Sequence, residues 1–250
     1  MTAAALAPQA DAVVPQRYAR AAGVAMLLSM VFGTLGELYL PGRIIVAGDA
    51  AATAANLTGS PMLLRLTFAS YLVEGFCDIF LCVFWYILLR PVDKNLALLS
   101  AFVGVVSMVT FAVAQSSFFA SSLVLRETGG MLSFTLEQRQ ALALLCIRVS
   151  TMIAWLFVAF YGTASMIRGY LIARSGYLPK VLGILLMIGG AGFFLRSATY
   201  ILAPSLSSPF LLMPMALAGI PLTFWLLFRG VRAEAIPTSP DSGSPASASP

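Results

Sequence analysis

No histidine occurs among the 250 residues. That absence removes imidazole acid–base catalysis, Ser–His and Cys–His nucleophile pairs, and His-held haem or metal. Lysine is nearly missing too. Lys94 and Lys180 are the only two and both fall at predicted turns, so no lysine is left inside the apolar runs to form a Schiff base. The cysteines, Cys77, Cys82 and Cys146, are odd in number, form no CxxC pair and lie in apolar stretches. There a thiol reads as a small buried hydrophobe. Charge is scarce: 10% of residues carry one, against about 25% in a soluble domain.

What fills the chain instead is hydrocarbon. Sixty per cent of residues are hydrophobic and the mean hydropathy is +0.92. A helix crossing a hydrocarbon layer needs about 20 mainly apolar residues. Six stretches meet that requirement, at about 18–40, 62–89, 96–123, 141–168, 181–202 and 210–228. The fold class is therefore all-α, a polytopic membrane protein built as a six-transmembrane-helix bundle at 18–230. The first run is too long for a signal-peptide core and no cleavage site follows it. Residues 1–17 read as a flexible tail, and the Pro/Ser/Ala-rich 231–250 as a disordered one.

Six spans put both ends of the chain on one side. Arg17, Arg20, Arg90, Lys94, Arg168, Arg174, Lys180, Arg229 and Arg232 fall on that side, and Arg43, Arg126 and Arg139 on the other. This bias assigns the termini to the cytoplasm. The net charge of +5 thus reads as topology. Without a clustered basic stripe it implies no nucleic-acid partner; the partner is the lipid bilayer.

Six ionisable residues lie inside the runs: Glu37, Arg65, Glu74, Asp78, Arg148 and Arg196. A charge at the bilayer centre costs about 2.5–3.5 kcal/mol on insertion scales, so these groups should face inward and pair. Tyr71, Glu74, Asp78 and Trp85 share one helical stripe. By depth, Arg148 and Arg196 are expected to meet Glu74 and Asp78 in the outer half of the bundle, with Glu37 within reach. Arg65 sits nearer the interface and can snorkel. A proton, ion or small polar ligand could occupy such a pocket, lined by Glu37, Tyr71, Glu74, Asp78, Arg148 and Arg196. The alternative is a structural or accessory protein whose ion pairs only fix helix packing. An enzyme fits least, because no nucleophile with a base and no metal-ligand set appears. No cofactor is called for.

The loop 41–66, PGRIIVAGDAAATAANLTGSPMLLRL, has its own pattern. Asp49 can cap a short helix near 49–58, Asn56 and Gly59 suit its end, and Pro61 suits the start of span two. This predicts an interfacial helix, either a rigid connector or a lid carrying Asp49, Thr53, Asn56 and Arg65. Together with Cys77–Asp78 and the turn LLRPV at 88–92, the block resembles the bacterial membrane family known as domain of unknown function 4386. The resemblance runs over about 18–230. It implies a helical bundle in a bacterial cytoplasmic (inner) membrane, with recurrent polar positions, and no particular activity.

Overall fold

The computed structural model describes residues 16–126 and 129–231. The expected tails at 1–17 and 231–250 lie almost wholly outside these described residues. No strand occurs among them.

Six helices are long and apolar enough to cross a membrane. They are span one (Gln16–Ile44), span two (Pro61–Leu89), span three (Lys94–Val124), span four (Leu136–Arg174), span five (Lys180–Leu202) and span six (Pro209–Phe228). Local signals set their ends. Asp93 accepts a hydrogen bond from the Leu96 N–H and starts span three. Thr135 and Gln138 form a reciprocal capping box that starts span four. Gly176, at φ 73°, stops span four in a conformation that side chains resist.

Each span packs on its sequence neighbours, and span six returns to span one, so the six close into a ring. Spans two and four also touch across it. Both ends of the described chain sit at one face: Gln16 donates to the Arg229 carbonyl and accepts from the Val231 N–H. Glycines bring spans four and five together. A Cβ on Gly162 would lie 2.6 Å from the Gly190 carbonyl oxygen, and one on Gly169 2.6 Å from that of Gly183. Small residues permit this in lipid, where close backbone packing drives association.

The interior has two apolar cores. One, at the face with the termini, includes Ala22, Trp85, Leu88, Leu171 and Leu222. The other, toward the opposite face, includes Ile44, Leu57, Phe111, Ile147 and Phe157. On span two, Tyr71 belongs to the second core and Cys77 to the first. Glu74 falls between them.

The loop after span one forms a helix at Ala50–Gly59. Asp49 caps it, accepting from the Ala52 N–H at 2.8 Å. Gly48, at φ 80°, makes the turn before it. Leu57 and Ala54 are buried with Ala143 and Ile147 of span four, so the helix is pinned over that end of the ring.

Candidate functional site

The acidic stripe on span two points inward. Tyr71, Glu74, Asp78 and Trp85 are all buried, as their helical spacing requires. Glu74 is 6% exposed and Asp78 6%. Span one meets this stripe with glycines. A Cβ on Gly33 would stand 2.6 Å from Glu74 Oε1, and one on Gly36 3.1 Å from the Tyr71 ring. Bare backbone thus lies against the acid.

Span one is not a regular helix here. Thr34–Tyr39 winds as a π-helix, with the Leu40 N–H bonded back to the Leu35 carbonyl. Such wider turns are rare and gather at functional sites. Glu37 sits in this turn, exposed on the bundle surface, yet close enough for its charge to act on Glu74 and Tyr71.

Asp78 accepts a hydrogen bond from Ser29 of span one at 2.8 Å. The cation whose charge reaches it is Arg168. Arg168 is 4% exposed. Its Nε donates to Ser100 of span three at 3.1 Å, and its Nη2 lies 3.6 Å from Cys82 Sγ of span two. Gly104 makes room: a Cβ there would be 2.5 Å from Nη2. Spans two and three therefore hold the guanidinium that span four carries. Tyr161, half-buried on span four, lies where the charges of Asp78 and Arg168 both act on it. Glu74 is served differently: its Oε2 is buried with no hydrogen-bond partner.

The pairing expected from depth is not the one present. Arg148 lies exposed on the outside of span four. It stands about five and a half turns from Arg168 at 3.6 residues per turn, so when one faces inward the other faces out. Arg196 stacks on aromatics: its Cζ is 4.6 Å from the Trp155 ring centre and 5.7 Å from that of Tyr200. Ring order explains this. Span five lies across the bundle from spans one and two, beside span four. Nor is the cluster confined to the outer half. The charge of Arg168 acts on Asp78 from nearer the face that carries the termini.

Arg168 therefore belongs inside the membrane set, not among the loop cations. Ending span four at 168 concealed it. Gly-Tyr-Leu-Ile follows Arg168, and the chain does not turn until Ser175–Gly176. That apolar continuation was the available signal. Ser29, Ser100 and Cys82 carried none, because nothing local distinguishes them from packing residues.

The block at 41–66 spends most of its polar groups on itself. Thr53 accepts from the Val46 N–H and donates to the Asp49 carbonyl. Asn56 does not end the helix but donates to the Ile44 carbonyl, tying the helix to span one. Arg65 is exposed. Between spans two and three a groove of about 360 Å³ opens, lined by Phe68, Tyr71, Phe76, Phe111 and Phe119 among others. It is almost wholly apolar. Tyr71 stands edge-on to Phe111 and Phe119, with Glu74 one turn further along span two.

Among the described residues no three carboxylate or thiol side chains converge to hold a metal ion. The arrangement offers three carboxyls whose charges act on one another, Glu37, Glu74 and Asp78, with the charge of one guanidinium reaching Asp78.

The family model described as Domain of unknown function (DUF4386) matches residues 21–230. The chain belongs to this family. It is also similar to an uncharacterised protein of Archaeoglobus fulgidus, 25% identical over 167 residues, covering 65% of this chain and 83% of that protein. No solved structure matches.

Proposed function

We propose that this family member is a multi-pass protein of a bacterial cytoplasmic membrane, its termini inside, that binds and relays protons along Glu37, Glu74 and Asp78, coupled to movement of a small polar solute or ion. The observation that carries this reading is the Glu74 carboxyl. It is buried, one oxygen lacks any partner, and the charges of Glu37 and Asp78 both act on it. A carboxylate stripped of water is costly unless a cation or a proton meets it. Arg168 is already bonded to Ser100 and acts on Asp78, which leaves more acid than base. A proton is the smallest group that fills the deficit, and carboxyls in series can hand it on. The π-turn at Glu37 and the glycine at position 33 support the same reading. They bring a surface acid and a buried one into mutual range.

The test is a proton-linked signal in lipid. Infrared difference spectra of the reconstituted protein, taken between mildly acidic and mildly alkaline buffer, should contain a carboxylic acid band that Glu74→Gln removes. Proteoliposomes carrying an internal pH dye should respond to an imposed potential, and Glu74→Gln should abolish the response while the melting temperature holds. A wild-type protein with no titrating carboxyl and no response would overturn the reading.

One observation favours a structural role instead. Arg168 donates to Ser100 and lies against Cys82 in a space that Gly104 keeps open, with its charge acting on Asp78, which is how a buried charge kept for architecture alone looks. On that reading Asp78→Asn lowers stability and changes no proton signal.

A further inference from the structure

Arg196 poses a separate problem. It lies in the half of span five away from the termini, six residues before the helix ends at Leu202. Its guanidinium stacks on Trp155 and Tyr200, whose rings stack on each other at 4.8 Å and 28°. That stack covers a face of the cation but supplies no hydrogen-bond acceptor. Nε and Nη1 of Arg196 are buried without a partner, and so is the indole Nε1 of Trp155. Arginine and indole nitrogens only donate. Donor nitrogens from two adjoining side chains are thus withdrawn from solvent with nothing to receive their hydrogens. Neighbouring hydroxyls are engaged: Ser197 donates to the Trp155 carbonyl at 2.5 Å, and Thr199 to carbonyls of its own helix. Glu37, Glu74 and Asp78 are on spans one and two, away from span five in the ring.

We infer that Arg196, with Trp155, forms a binding site for a small oxyanion group, a phosphate or a carboxylate. A guanidinium presents parallel N–H pairs, Nε with Nη2 and Nη1 with Nη2, and either pair can meet two oxygens of such a group. The aromatic stack holds that plane in place, so little side-chain freedom is lost on binding. Ser197, bonded across to span four, fixes the two helices at this level. The side chain is half-buried rather than sealed, so one flank stays open to an approaching group. Two sources carry this chemistry: the headgroup of an anionic phospholipid and a soluble anion. The site stands apart from the carboxyl series and does not depend on its role.

Purified full-length protein in neutral detergent can be melted with added phosphatidylglycerol, with phosphatidylcholine of the same chains, and with inorganic phosphate. Native mass spectrometry of the same samples reads bound lipid directly. Phosphatidylglycerol or phosphate should raise the melting temperature, and phosphatidylcholine should not. A shift by lipid alone assigns the headgroup, and a shift by phosphate alone assigns a soluble anion. Arg196→Met should erase the selective shift. Trp155→Phe keeps a ring under the guanidinium and loses the indole N–H, and should weaken binding by roughly tenfold, the effect of one hydrogen bond to a charged group. No shift with any anion, or an undiminished shift in Arg196→Met, overturns the site. If Arg196→Met does not fold, Trp155→Phe decides, and unchanged affinity there overturns it as well.

Discussion

Arg168 and Arg196 are both arginines within a bundle of apolar helices, and they are housed in opposite ways. Arg168 reaches into the ring, where a hydroxyl, a thiol and the charge of Asp78 meet it. Arg196 lies over two aromatic rings, with buried nitrogens that nothing accepts from. The first environment is nearly complete within the chain. The second is complete only with something added. An intramembrane charge is thus not one kind of signal. What surrounds it decides whether it serves the fold or awaits a ligand.

The sharpest way to break this contrast is to remove the cation of the complete environment. Arg168→Met removes the donor to Ser100 and the cation whose charge reaches Asp78, and should cost about 3 kcal/mol of stability, the upper range for a lost hydrogen bond to a charged group. Thermal unfolding in detergent reads the loss. Asp78→Asn in the same chain should restore much of it, whereas strictly additive losses would show that the two residues are not coupled.

Filling the space beside Arg168 should cost less. Gly104→Ala places a methyl 2.5 Å from Nη2 and 2.7 Å from Cys82 Sγ, displacing flexible side chains rather than backbone. Overpacking of this kind costs about 1–3 kcal/mol. A melting temperature equal to wild type would mean that the guanidinium has other room.

Glu74→Gln should change stability by less than about 1 kcal/mol, because its buried Oε2 has no hydrogen bond to lose. A large loss would reveal a partner for Glu74 and move it into the class of Arg168. The smallest effect belongs to Arg148→Gln, whose side chain is exposed on the outside of span four. Such a surface change should stay within about 0.5 kcal/mol, and a greater loss would contradict the outward orientation.

Much of the architecture was legible in the residues. Apolar length marked six spans. Asp49 marked where the short loop helix begins, because capping is chemistry between near neighbours. The stripe Tyr71, Glu74, Asp78 and Trp85 showed its inward face, because helical periodicity is local too. The candidate site was legible only in part. Glu74 and Asp78 share a stripe that local periodicity turns inward, whereas Glu37, expected inside, is exposed on the bundle surface. The site's cation was misassigned: Arg148 and Arg196 had suitable depth, but depth says nothing about which way around the ring a side chain points. The π-turn at Thr34–Tyr39 left no mark in the sequence, since it depends on how span one settles against Tyr71 and Glu74.

The amino-acid sequence by itself determined the solvent of this protein, the number of its long helices, and the face of span two that turns away from lipid. Each rests on interactions within a few residues, or on the free energy of placing a side chain in hydrocarbon. Only the tertiary structure decided that Arg168 would settle against Ser100 and Cys82, within electrostatic range of Asp78, and that Arg196 would lie on Trp155. Those choices depend on which helices become neighbours when the ring closes, and that is settled by packing among all six at once.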